Sequence, residues 1–392
     1  MRELLTFCEA EQPWLLDTIR ALVARESPTH DKRAVDACGR ELQSRLDALG
    51  ARTTRLPQTD AGDHLRAEFR IGTAGAGVRD PVQILMLGHF DTVWKVGEIT
   101  AMPLREEGGR LYGPGVYDMK AGIALGMLAA RALVELPAVA RRVSANLRLV
   151  MLWTTDEETG SRTSRALIEA EARRSAAVLV LEPPLPGGAV KTSRKGCGDF
   201  ELIVRGVAAH AGIDPAKGAS AVRELAHQIL QLDDLQDPKL GVTLNVGVIA
   251  GGTRPNVVPD EAHALIDIRV PTLADADRLT RALLSLEPQL PGTTLEVRGS
   301  IDRPPLERTE AVARLYHIAR SVAAELGRHL DEGSTGGGSD GNFTAAVGAA
   351  TLDGLGAVGD GAHARHEHVV IEELPWRAAL LAGLVTRLAS LS

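Results

Sequence analysis

Three apolar runs each end in residues able to bind a cation or move a proton. The run Val82, Ile84, Leu85, Met86, Leu87 leads into Gly88-His89-Phe90-Asp91. Leu147 to Trp153 leads into Thr154-Thr155-Asp156-Glu157-Glu158, and Ala177 to Leu181 leads into Glu182-Pro183-Pro184. Nearly continuous apolar runs of this length read as strands covered on both faces. In open α/β sheets ligands bind beyond the carboxyl ends of the strands. One charged loop after a strand is ordinary; three together, on independent strands, point to a site. Asp118, in Gly113-Pro-Gly-Val-Tyr-Asp-Met-Lys-Ala-Gly122, and His363, in Gly359-Asp-Gly-Ala-His-Ala-Arg-His-Glu367, lie in glycine-rich loops. Taken singly, the first reads equally as a helix N-cap and the second as an exposed loop histidine.

Imidazole and carboxylate suit zinc, each ion needs about three protein ligands, and one carboxylate can bridge two ions. His89, Asp118, Glu158, Glu182 and His363 together meet that requirement. Metal-assisted hydrolysis further needs a carboxylate that stays off the metal to take the proton of a water. The Glu157-Glu158 pair supplies it, because adjacent side chains diverge.

The elements around these residues alternate. Apolar residues at Leu15, Leu16, Ile19, Leu22 and Val23 predict a helix, and Val35 to Leu49 a second one ending at Gly50. Gly122 to Leu136 predicts a helix between the first two strands. Strands alternating with helices imply a largely parallel α/β sheet. From about 192 to 303 the pattern changes to period two, as in Phe200, Leu202, Val204 and in Ala262, Ala264, Ile266, Ile268, Val270. Helical segments at Ala219–Leu232 and Leu273–Leu286 give the order strand, helix, strand, strand, helix, strand, a ferredoxin-like α+β unit. The expected organisation is a catalytic domain over 1–191 and 304–392, with 192–303 inserted as a lid or dimerisation domain. Helices are expected at Thr309–Leu326 and Leu374–Leu391, separated by a glycine-rich stretch.

The chain has 392 residues and a net charge of -7. That length favours two domains and needs no disulfide or structural metal to fold. Nothing in the charge suggests nucleic acid or an anionic membrane as partner. Cys8, Cys38 and Cys197 are odd in number and form no CxxC, which fits a reducing compartment. The Leu4–Phe7 run is too short for a signal peptide and is flanked by Glu3, Glu9 and Glu11. A cytoplasmic enzyme is expected, with a removed leader left open. Gly336-Gly-Gly338-Ser-Asp-Gly341 and Gly354-Leu-Gly356-Ala-Val-Gly359 match GxGxxG, but the first follows an expected helical stretch and the second leads to His363 rather than to a helix, so no dinucleotide site is expected.

In order and spacing, Gly-His-Phe-Asp-Thr-Val, Gly-Pro-Gly-Val-Tyr-Asp-Met-Lys-Ala-Gly, Thr-Asp-Glu-Glu-Thr-Gly-Ser, Leu-Glu-Pro and Gly-Ala-His-Ala-Arg-His-Glu resemble one family over nearly the whole chain. It is the zinc metallopeptidase family that includes glutamate carboxypeptidase, acetylornithine deacetylase, succinyl-diaminopimelate desuccinylase and aminoacylase. The resemblance implies two zinc ions (Zn2+) bridged by Asp118, with His89 and Glu182 completing one site and Glu158 and His363 the other. It implies Glu157 as general base, Asp91 orienting His89, and a cis peptide at Asp118–Met119. Such donor sets also accept other divalent ions such as Co2+ or Mn2+. Glu182, in place of the aspartate of aminopeptidases, looks like the carboxypeptidase and deacylase branches. Arg194-Lys195-Gly196, Gly251–Asn256 and Arg303-Pro-Pro look like the glutamate carboxypeptidase branch.

In the inserted segment, His210 reads on its own as a surface residue capping a strand, and Arg269 as the partner of Asp267. The resemblance implies instead that His210 holds the oxyanion in the active site of a partner subunit. It also implies that Arg269, assisted by Asn256 and Arg303, holds the substrate carboxylate. The expected function is cleavage of an amide bond to release a C-terminal amino acid, of glutamate type, from a small peptide or N-acyl amino acid. The alternatives are a deacylase for small acyl groups and, in another class, a non-catalytic binding protein on the same fold. A homodimer through the inserted domain is expected, since a four-stranded unit leaves an open edge strand.

Overall fold

In the computed structural model, residues 1–72, 81–136 and 147–391 are described. The chain opens with three helices, α1 (Arg2–Ala10), α2 (Gln12–Ala24) and α3 (Lys32–Ala48). The helix expected over Leu15 to Val23 is α2, with α1 a further helix ahead of it, and Pro13 sits in the first turn of α2, where its missing N–H costs nothing. Asp31 caps α3 by accepting from Ala34 N at 3.0 Å. There follow β1 (Arg52–Leu56), β2 (His64–Ile71), β3 (Val82–His89), α4 (Glu98–Ala101), β4 (Arg105–Glu107), β5 (Arg110–Tyr112), α5 (Ala121–Glu135), β6 (Leu147–Thr154), α6 (Arg165–Arg173) and β7 (Ala177–Val180). After β8 (Val190–Arg194) come β9 (Gly196–Arg205), α7 (Ala221–Asp233), β10 (Thr243–Gly251), β11 (Glu261–Val270), α8 (Leu273–Leu284) and β12 (Thr294–Arg303). The chain ends with α9 (Glu310–Glu325), β13 (Glu332–Thr335), α10 (Gly341–Ala346), β14 (Thr351–Leu352), β15 (Gly359–Asp360), β16 (His368–Val370) and α11 (Leu374–Leu391).

Two compact units result. The first comprises residues 1–192, 308–334 and 339–392, and the second 193–307 with 335–338. The first unit is built on a six-stranded sheet of order β1-β2-β6-β3-β7-β14. The pairs β3 with β6, β3 with β7 and β7 with β14 are parallel, while β1 and β2 run antiparallel at one edge. The sheet is mostly parallel, as the alternation predicts. The three apolar runs are adjacent strands β6-β3-β7, so their carboxyl ends open at one edge. Their residues are buried because helices cover both faces, including α5 and α11 on one side. In α11, Leu380, Leu381, Leu384 and Val385 are all fully buried, each contributing about 1.5–3 kcal/mol of transfer free energy. A second, small sheet of order β15-β16-β5-β4 pairs the segment after His363 with the one before Asp118.

The second unit is a four-stranded antiparallel sheet of order β10-β11-β9-β12. Its order along the chain is strand, helix, strand, strand, helix, strand, and α7 and α8 close one face over Phe200, Leu202, Ala264, Ile266 and Leu279. β10 is an edge strand with a bulge between Val246 and Val248. Among the described residues, no helix is long and apolar enough to cross a membrane.

Candidate metal centre

His89 is the last residue of β3, and its backbone N–H meets Met119 Sδ at 3.4 Å. Glu158 lies in the turn Glu157–Thr159 just beyond β6, and Glu182 two residues beyond β7. Asp118 lies in an irregular turn, Val116–Lys120, that leads into α5; its φ and ψ are non-helical and its bond to Met119 is cis. His363 sits in the loop before β16 with φ of 59°, a left-handed conformation that histidine tolerates better than bulky residues do.

These five side chains converge. His89 Nε2 lies 3.3 Å from Asp118 Oδ1 and 3.5 Å from Glu182 Oε1. His363 Nε2 lies 3.6 Å from Asp118 Oδ2 and 3.2 Å from Glu158 Oε2. The two oxygens of Asp118 therefore face different imidazoles, each accompanied by its own second carboxylate. Donor atoms of His89, Asp118 and Glu158 all fall within 4.8 Å of one another.

The electrostatics follow from three carboxylates gathered around two imidazoles. Burial opposes a charge on His89, but the close carboxylates of Asp118, Asp91 and Glu182 outweigh it and hold the imidazole well above its ordinary pKa. The Glu158 carboxylate pushes His363 up to about 9. Burial would raise Asp118, yet the His89 contact holds it below the usual carboxylate range. Glu158 moves the other way, because burial prevails over its contact with His363. Asp118 Oδ1 is buried and accepts no hydrogen bond. A buried, unsatisfied carboxylate oxygen beside imidazole nitrogens is what a divalent cation would satisfy. The residues present fit such an ion.

Support comes from carboxylates outside this set. Asp91, fully buried, has its Oδ2 accepting from Thr29 Oγ1 at 2.8 Å and from Glu158 N at 3.3 Å. Its Oδ1 lies 3.4 Å and its carbonyl 3.1 Å from His89 Nδ1, so the ring nitrogen away from the cluster is engaged. Asp156 Oδ2 accepts from Thr163 N and Oγ1 at 2.6 and 2.8 Å, pinning the turn that carries Glu157 and Glu158. Asp340 accepts from Thr154 Oγ1 at 3.0 Å and from Ser161 Oγ. Glu367 accepts from four N–H groups; burial raises its carboxyl while those donors oppose the shift. Thr29, Asp156, Asp340 and Glu367 were not singled out from the sequence. Glu367 could have been, since it closes the motif that begins at His363.

Glu157 is half-buried beside Glu158. The remaining predicted residues belong to the second unit. His210 is exposed; it forms a bridge with Val257, and Ala211 N donates to Asn256 O at 3.0 Å, so His210 and exposed Asn256 lie on neighbouring segments. Arg269 donates from Nε and Nη2 to Asp267 and from Nη1 to Cys197 Sγ at 2.6 Å. Arg303 pairs with Cys197 across β12 and β9, which puts Arg269 and Arg303 on either side of one cysteine.

Comparison with known proteins agrees with this geometry. The profile of Peptidase family M20/M25/M40 matches residues 85–387. Carboxypeptidase G2 of Pseudomonas sp. (strain RS-16) is 30% identical over 387 residues, spanning 97% of this chain and 90% of the relative. Acetylornithine deacetylase of Myxococcus xanthus is 30% identical over 365 residues, 88% of this chain and 90% of the relative. Among solved structures, aminopeptidase PepT from Bacillus cereus superposes with a TM-score of 0.80 at 23% identity, covering 96% of this chain and 99% of the other, which speaks to fold alone. With the family profile covering most of the chain and the ligand-type residues gathered in one place, the chain belongs to peptidase family M20/M25/M40 and is a metal-dependent amidohydrolase.

Proposed function

We propose that this chain binds two divalent cations, zinc by its donor chemistry, and hydrolyses the amide bond that joins an acyl or peptidyl group to a C-terminal amino acid of glutamate type. The observation that carries this reading is the division of the Asp118 carboxylate between two imidazoles. Asp118 is the shared ligand, His89 and Glu182 serve one ion, and Glu158 and His363 the other. Bound there, the cations supply Lewis-acid polarisation of the scissile carbonyl and acidify a water.

The other steps belong to the chain's own groups. Glu157, set beside Glu158 on the same turn, takes the proton of the attacking water and returns it to the leaving amine. Asp91 holds the His89 ring in one orientation and tautomer. In the second unit His210 donates to the developing oxyanion. Arg269, Asn256 and Arg303 receive the carboxylate of the released amino acid; Arg269 is already oriented by Asp267, so little freedom is lost on binding. The likeness to carboxypeptidase G2 along 97% of this chain supports a carboxypeptidase, and relatives named desuccinylase and deacetylase at the same 30% identity support the deacylase as second reading. A homodimer through the edge strand β10, whose Val248 and Ile249 are exposed, would let His210 serve the partner's site.

The test is a metal analysis and a hydrolysis screen of peptidyl and N-acyl amino acids, on the wild type and on Glu157→Gln. The variant is expected to keep two ions per chain and lose at least about a hundredfold in kcat, the scale of a removed acid–base catalyst. Near-normal kcat in the variant, or one ion per chain in a fully active wild type, would refute the assignment.

A further inference from the structure

One carboxylate outside the ligand set joins three of the loops that carry it. Glu367 is 1% exposed. It ends the loop of His363: Ala364 N donates to Gly361 O at 2.9 Å, and Glu367 N to Ala364 O at 3.0 Å, so the loop folds back on itself around His363. From there the side chain reaches the loop of Asp118. Glu367 Oε1 accepts from Tyr117 N at 2.9 Å and from Asp118 N at 3.0 Å, and Oε2 from Gly115 N at 2.8 Å. The second bond to Oε2 comes from Trp94 Nε1 at 2.8 Å, a few residues beyond His89 and Asp91. The Glu367 carbonyl also accepts from Gly113 N at 3.4 Å.

The chemistry of the four donors is uniform. All are N–H groups, two on each oxygen, and three belong to the backbone of the turn whose central residue is Asp118. A carboxylate offers two oxygens and about four acceptor sites, and when ionised it donates nothing. A glutamine in the same place would turn an NH2 toward two N–H donors, whichever way the amide is flipped. The site therefore selects a carboxylate for its hydrogen-bonding pattern.

We propose that Glu367 is a positioning residue of the metal centre. It clamps the Asp118 turn to the His363 loop and to the segment after His89, so that the shared carboxylate and both imidazoles are presented in register. This rests on the reading of those residues as metal ligands. Groups that orient metal ligands from behind typically cost about 10–100-fold in metal affinity when removed.

The experiment compares chelator-stripped wild type, Glu367→Gln and Glu367→Asp by competitive titration of zinc against a chromogenic chelator. The visible spectrum after cobalt loading reports ligand geometry, and thermal unfolding of the metal-free proteins reports the fold. Glu367→Gln is expected to bind zinc about 10–100-fold more weakly than wild type and to show an altered cobalt spectrum. Glu367→Asp, which keeps the acceptors but withdraws them by one methylene, should fall between the two and carries the comparison if the amide variant does not fold. A core variant of lowered stability, Leu380→Ala, should bind zinc as wild type does. Wild-type affinity in both Glu367 variants overturns the proposal, and so does an equal loss in Leu380→Ala, which would make the effect one of general stability. A wild type that takes up no zinc overturns the ligand assignment itself, before any variant is compared.

Discussion

Replacing Gly356 by alanine should damage the site through Glu182. Gly356 is buried, and its N–H donates to Glu182 O at 2.9 Å. A methyl group there would lie 2.7 Å from Glu182 O and 3.0 Å from its carbonyl carbon, and closer still to Leu181 O. Ordinary C···O contacts start at about 3.3 Å, so the backbone must retreat by about 0.6 Å at Glu182 O and by about 1.1 Å at Leu181 O. These are main-chain atoms at the end of a parallel strand, with Leu181 N bonded to Leu87 O at 2.9 Å, so they cannot rotate away. Overpacking of this kind costs about 1–3 kcal/mol, or a fall in Tm of roughly 2–12 °C at about 2–4 °C per kcal/mol for a domain of this size. A misplacement approaching 1 Å at a reacting centre can cost about a hundredfold in rate. Gly126→Ala is the matched control: its methyl would meet Leu181 Cδ1 at 2.7 Å, the far end of a side chain that can turn. It also gains about 1 kcal/mol of helix propensity inside α5, so it should be close to neutral. Thermal melts and kcat/KM on both variants decide. A Gly356→Ala enzyme with wild-type Tm and kcat/KM would refute the reasoning.

Three further outcomes are expected. Burial lowers the pKa of His64, whose ring nitrogens each lie 3.0 Å from a threonine hydroxyl, Thr155 and Thr163. A histidine whose folded pKa is depressed contributes stability that is present above about 6.5, the unfolded value, and lost as pH falls through the folded one; the Tm of the wild type should therefore drop more between pH 7 and 5 than that of His64→Gln, and parallel curves would rule this out. His363 stands at about 9 and His89 well above its ordinary value, so both are protonated near neutrality and must lose the proton to bind a cation; calorimetry of zinc uptake at pH 7.5 in two buffers of different ionisation enthalpy should reveal proton release, and buffer-independent heats would contradict it. If His210 serves a partner's site, mixing inactive Glu157→Gln and His210→Ala chains should restore activity, and a mixture that stays inactive would leave His210 without that role.

What was legible in the sequence follows from how each signal is written. β3, β6 and β7 were plain because both faces are covered, so apolar residues run without interruption. The second unit was legible through alternation, since one sheet face is closed by helices and the other is not. β2 carries the same signal at Leu65, Ala67, Phe69 and Ile71, all buried, and was passed over. The sheet of β4, β5, β15 and β16 could not be read, because strands of two or three residues show no period. At the candidate site, His89, Glu158 and Glu182 were legible as residue types beyond the ends of strands, whereas Asp118 and His363 lie in loops where each alone reads as an ordinary cap or an exposed histidine. The roles of Asp156 and Glu367 were not, because each acts on backbone N–H groups, which every residue but proline carries.

That mode of support bears on the charge of the centre. Asp156 and Glu367 both support the loops of the candidate ligands, and the hydrogen bonds they accept there come from amide, hydroxyl and indole donors rather than from cations. Neutral donors satisfy a buried carboxylate's lone pairs without cancelling its charge. Their negative charge therefore remains available to an entering cation, while His89, His363 and Lys191 bear on Asp118 from the other side of the balance. Two cations entering from water must be repaid for their hydration by ligands and by this surrounding field. A ring of lysine or arginine in those places could not accept the N–H bonds of the loops and would weaken that attraction.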